Sequence, residues 1–102
     1  MISIEELRMA CREAVAAGWK IRGRVYLAES HRCCCPLGAL YVQKYGTRKH
    51  ASVIDEVTHM SGMDWDERML FTHSFDTGYV QMDCPPSVMG ATLRKEFIDA
   101  GA

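Results

Sequence analysis

The dipeptide Cys35-Pro36 constrains this chain more than any other feature of its sequence. Proline has no backbone N–H and a fixed φ, so it fits poorly inside a helix or central strand and well at a first helical position. Cys33-Cys34 therefore reads as a short paired strand, Cys35 as a corner, and Pro36 as the start of a helix running to Tyr45 and stopping at Gly46. Upstream, Trp19 to Leu27 alternates strictly. Trp19, Ile21, Val25 and Leu27 fall on one side; Lys20, Arg22, Arg24 and Tyr26 fall on the other. That is the period of a half-buried strand. Gly23 marks a bulge or a bend that makes two short strands, and Glu29 to Arg32 reads as a turn.

The remaining elements are helical. Ser3-Ile4-Glu5-Glu6 has the form of a capping box, with Ile2 and Leu7 at the positions of a hydrophobic staple. Ile4, Leu7, Cys11, Ala14 and Val15 recur at helical spacing, and Gly18 supplies the stop. A third helix is expected near Ala51–Met60, with Val53, Ile54, Val57 and Met60 inward. Asp64-Trp65-Asp66-Glu67 is a second capping box and opens a helix from Trp65 to about His73. Phe75 to Gly78 reads as a turn and Tyr79 to Met82 as a short strand or extended arm. A last helix is expected near Ser87–Asp99, with Met89, Leu93 and Phe97 on one stripe and Lys95 and Asp99 as a pair. The fold expected is α+β: one compact, mostly helical domain over residues 1–102, with about five helices and a small antiparallel sheet or hairpin.

Charge narrows the function. Twelve Lys and Arg against thirteen Asp and Glu give a net charge of −1, which argues against general nucleic-acid binding by bulk charge. The start MISIEELRMA lacks the basic-then-apolar pattern of a signal peptide, and no apolar run is long enough to span a bilayer. No membrane association is expected. The five cysteines cannot all pair internally, and a reducing cytoplasm would keep them as thiols.

The thiols have three readings. They pack as small hydrophobes between sheet and helix, as Cys11 does on its helix. Alternatively, Cys35 at the positive end of a helix becomes a nucleophile, with His73 as base and Asp76 as its orienting partner. Or His31, Cys33 and Cys35 ligate a metal, with Cys34, Cys84, His59 or His73 as a fourth donor. The paired-cysteine spacing of structural zinc sites is absent, and so is a complete catalytic motif. No cofactor is expected, and a non-enzymatic role is favoured. His50 and His59 read as ordinary helix-side histidines.

Lys20, Arg22 and Arg24, with Tyr26 beside them and Arg32 nearby, form the best candidate binding surface. Grouped guanidinium donors suit acidic side chains or phosphates, and Tyr26 offers an aromatic anchor. Asp55, Glu56, Asp64, Asp66, Glu67, Asp76 and Asp83 make the second half acidic, which points to a partner face or to contact between copies of the chain, a homo-oligomer.

The segment Cys35-Pro36-Leu37-Gly38-Ala39-Leu40, followed later by Phe71-Thr72-His73-Ser74-Phe75-Asp76, resembles a pattern in small uncharacterised bacterial and phage proteins. There, Cys-Pro-Leu-Gly-Ala-Leu precedes a helix ending in Phe-x-x-Gly-Phe-Asp; here Ser74 replaces the glycine. The resemblance covers the middle of the chain. It implies a compact domain in which the two segments meet, and a phage or mobile-element origin, and it transfers no activity. The expectation is a cytoplasmic inhibitor or regulator of a host protein acting by surface occlusion. The alternatives are a binder of a small phosphate-bearing ligand and a cysteine-nucleophile hydrolase or transferase.

Overall fold

The computed structural model describes residues 1–46 and 52–100. The expectations for Thr47 to Ala51, His50 among them, lie outside the described residues. Five α-helices and a three-stranded sheet make a mostly helical α+β protein among the described residues. Contacts group it into two compact units, Met1–Gly62 and Met63–Ala102.

In the first unit, helix α1 (Ile4–Ala16) starts where Ser3 Oγ accepts the Glu6 N–H at 3.2 Å. Its buried face is Leu7, Ala10, Cys11 and Ala14. Val15, expected inward, is exposed. Gly18 turns the chain at φ +95°, and the Trp19 N–H returns to the Ala14 carbonyl at 2.9 Å. Trp19 and Ile21 are buried as the alternation requires.

Strands β1 (Lys20–Ile21), β2 (Leu27–Ala28) and β3 (Cys33–Cys34) follow. The thiol strand lies in the middle: β1 pairs with it in parallel and β2 antiparallel. The small sheet is thus mixed, where a purely antiparallel one was expected. The long alternating run divides into two short strands around Gly23, as the glycine implied. Helix α2 (Pro36–Tyr45) begins at the proline with Cys35 as N-cap, and helix α3 (Val53–Ser61) begins with Ser52 as N-cap. Lys44 Nζ and Tyr45 Oη both donate to Glu56 Oε1, at 3.0 and 2.9 Å, which ties α2 to α3. The Ile2 N–H donates to the Ser61 carbonyl at 2.7 Å, which fixes the start of the unit to the end of α3.

The second unit is a helical hairpin. Helix α4 (Trp65–Thr77) has the complete capping box read from sequence, Asp64 and Glu67 each satisfying the other's backbone N–H. It runs past the turn expected at Phe75. Gly78 ends it in the left-handed conformation, and Arg94 Nη1 donates to the Phe75 and Asp76 carbonyls at 2.9 and 2.7 Å. Helix α5 (Pro85–Arg94) starts two residues earlier than expected, because Pro85 takes the first helical position, and Lys95–Asp99 continues it as a π-helical turn. Tyr79 to Gln81 form an extended connection rather than a strand. Small residues let the two helices approach. Ser74 Oγ and Ser87 Oγ lie 2.9 Å apart in the core, and a Cβ on Gly90 would come 2.5 Å from the Phe71 carbonyl oxygen. Phe71, Phe75, Met89 and Leu93 fill the rest.

Candidate functional site

The basic segment is a loop, not a strand face. Lys20 lies on β1; Arg22, Gly23 and Arg24 leave the sheet; Tyr26 leads into β2. The exit is fixed at both ends. The Arg22 N–H still donates to the Cys34 carbonyl at 2.9 Å. At the other end, the Tyr26 carbonyl is seated on Gly38 of α2, so closely that a Cβ there would lie 1.6 Å from its oxygen. A glycine in the Cys-Pro-Leu-Gly turn is therefore what admits the loop, a close backbone approach that only a missing side chain allows.

Lys20, Arg22 and Arg24 are exposed and Tyr26 is half-buried. Arg24 sits at φ +64°. The left-handed region costs a non-glycine residue roughly 1–2 kcal/mol, and glycine or asparagine fills it more readily. Arg22 Nη1 donates to its neighbour's carbonyl, that of Ile21, at 3.1 Å. Arg32, also at positive φ, does structural work: its guanidinium lies 5.3 Å from the Trp19 ring centroid and donates to the Ala17 carbonyl at 3.3 Å. A cation at the carbonyl end of α1 suits the helix dipole. Arg32 thus makes its contacts inside its own unit; Lys20, Arg22 and Arg24 are exposed.

The three cysteines separate clearly. Cys33 is half-buried and its thiol donates to the His31 carbonyl, with Sγ 3.4 Å from the oxygen. Cys34 is fully buried; burial first, and the neighbouring Cys35 and Cys33 next, push its thiol from 9.0 up to about 12. It stays protonated and inert at neutral pH. Cys35 is the N-cap inferred from Pro36, its Sγ accepting the Gly38 N–H at 3.4 Å, and it is only 6 % exposed. Its sulfur therefore has a structural task. Among the described residues no group of three or more His, Cys, Asp or Glu side chains could hold a metal ion, and this includes the set His31, Cys33 and Cys35.

Cys35 belongs to the first unit, His73 and Asp76 to the second. His73 is exposed in α4 with its ring 5.6 Å from that of Tyr79. Asp76 lies in the last turn of α4, where its carbonyl accepts from Arg94. His59 is exposed in the last turn of α3, as an ordinary helix-side histidine would be. The acidic residues Asp64 and Glu67 serve as the capping pair, and Glu56 holds the α2–α3 contact.

One surface was not legible beforehand. Trp65 is 63 % exposed at the start of α4 and Met69 stands one turn on, also exposed. Arg68 is buried, with its guanidinium 4.3 Å from the Trp65 ring centroid. The capping box located Trp65 at a helix start, but nothing in the spacing showed which way it faced. Among the described residues, no helix is long and apolar enough to cross a membrane. In comparisons with known proteins, the chain matches no family model, no curated protein and no solved structure.

Proposed function

We propose that this chain is a small non-enzymatic binding protein that covers an acidic surface of a partner protein with its Arg22–Tyr26 loop. The observation that carries the reading is Arg24: an exposed arginine held at φ +64° in a loop anchored at both ends. The backbone there favours glycine or asparagine, so keeping arginine costs stability and gains an exposed cationic side chain on an anchored loop. A fixed loop loses little conformational entropy on binding. Tyr26 adds an aromatic contact beside the charges, and arginine with tyrosine is the composition of interface anchors. Regulation or inhibition by occlusion follows from such a surface, and the resemblance to small phage and bacterial proteins makes a host factor the partner of choice.

The buried, committed thiols support this reading over a cysteine enzyme. Cys34 is protonated and Cys35 caps α2. The test is capture of partners from a host lysate by the immobilised protein, with mass spectrometry. The triple reversal Lys20→Glu, Arg22→Glu, Arg24→Glu should lose the protein that wild type retains, and raised salt should weaken capture. Equal capture by wild type and the triple reversal contradicts the proposal. A rise in melting temperature on adding nucleotides, abolished by the same reversal, would instead assign the loop to a phosphate-bearing ligand.

A further inference from the structure

The solvent side of α4 carries an apolar ridge that the basic loop does not account for. Trp65, Met69 and His73 follow one another at four-residue spacing, so they share one face of the helix. The His73 ring meets Tyr79, which is exposed with its neighbour Val80, so the ridge continues past the end of α4. Trp65 and Met69 are 63 % and 48 % exposed. Large side chains contiguous in water mark interaction surfaces, because covering them releases roughly 25 cal/mol per Å² of apolar area.

Charge identifies what covers the ridge. Residues 63–102 hold three Lys and Arg against seven Asp and Glu, and residues 1–62 hold nine against six. Asp66 and Glu67 stand beside Trp65 in the first turn of α4. Two such ridges placed face to face would bring like charges together, which disfavours a two-fold ridge-on-ridge pair. A cationic surface is required, and it must tolerate an aromatic ring. The indole already accepts a guanidinium on its inner side, that of Arg68. The exposed arginines Arg22 and Arg24, with Tyr26 beside them, supply the same chemistry from outside.

We propose that the α4 ridge binds the Arg22–Tyr26 loop of a second copy of this chain. The proposal rests on the loop being a binding surface, as read above. Each copy offers one loop and one ridge, so copies join either reciprocally, as a two-fold dimer, or head to tail into longer assemblies. An assembled copy has its loop covered, so self-association and partner binding compete.

Sedimentation velocity from micromolar to millimolar protein tests this. At low salt the wild-type mass should climb with concentration to that of a dimer or beyond, and high salt should return it to the monomer. Trp65→Ser with Met69→Ser removes the ridge; Arg22→Glu with Arg24→Glu removes the loop. Each variant, with wild-type circular dichroism, should stay monomeric alone. Their equimolar mixture should form a one-to-one dimer and nothing larger, since it retains one working loop and one working ridge. Asp66→Lys, an exposed change with little effect on folding, should weaken wild-type association. A wild type monomeric to millimolar concentration, or a ridge variant that associates as wild type does, overturns the proposal. The ridge variant keeps its loop, so its capture of a lysate partner tests the loop reading separately.

Discussion

Gly38→Ala should be the most damaging single-methyl change in the first unit. Gly38 lies inside α2, where alanine is ordinarily favoured over glycine by about 1 kcal/mol. Here the added Cβ would sit 1.6 Å from the Tyr26 carbonyl oxygen, 2.7 Å from its carbon and 3.1 Å from Cys34 Cβ. A carbon and a carbonyl oxygen approach to about 3.3 Å at closest, so the Tyr26 peptide or the helix must retreat by roughly 1.7 Å. Tyr26 leads directly into β2, whose Leu27 is paired with Cys34 on β3, and both partners adjoin the clash. Retreat therefore loosens the β2–β3 pairing. Overpacking of this kind costs about 1–3 kcal/mol, and each weakened hydrogen bond adds about 1 kcal/mol. Against the gain in helix propensity, the net loss is about 3 kcal/mol. That is a large share of the roughly 5–15 kcal/mol that holds a small domain together. Urea unfolding followed by far-ultraviolet circular dichroism measures it as a lowered midpoint. Heating should show it as a melting temperature lower by about 10–20 °C. A Gly38→Ala protein as stable as wild type, or more stable, would refute the placement of the loop on α2.

Other perturbations have equally direct outcomes. Ser87 Oγ is buried, lies 2.9 Å from Ser74 Oγ and accepts the Gln81 N–H at 2.7 Å, so Ser87→Ala strands both partners and should cost about 1–3 kcal/mol by urea unfolding. The Cys34 thiol is raised from 9.0 to about 12 in the fold, so between those values the unfolded chain releases a proton that the folded chain keeps. The urea midpoint should therefore fall as pH rises above about 9, and Cys34→Ala should flatten that fall. Thiol labelling of the native protein at neutral pH should modify the half-buried Cys33 well before Cys34, and unfolding should abolish the difference.

Local signals carried the helices. Ser3, Asp64 and Pro36 sit where helix starts were read, because N-cap bonding and proline geometry act over three or four residues and leave their mark in sequence. The inward positions of Trp19 and Ile21 and the exposure of Lys20, Arg22 and Arg24 followed from alternation alone. What the alternation could not reveal is that the chain leaves the sheet after Ile21. That departure depends on Gly38 leaving room for the Tyr26 carbonyl, a close approach between residues twelve apart in different elements. Phe75-Asp76-Thr77-Gly78 has the composition of a turn, yet α4 continues through it. Arg94, from the next helix, caps its last carbonyls, and Phe75 is buried against α5. The mixed sheet has the same origin, since the pairing of β1 with β3 is set by tertiary placement rather than by any local pattern.

The most direct test of the binding loop is Arg24→Gly, read for stability and for binding in the same preparation. Relief of the left-handed strain, about 1–2 kcal/mol, outweighs the roughly 0.5–1 kcal/mol of added chain entropy. The variant should therefore melt at or slightly above the wild-type temperature while retaining markedly less of the captured partner. Undiminished capture by Arg24→Gly would contradict the account, because the strained arginine would then serve no binding purpose.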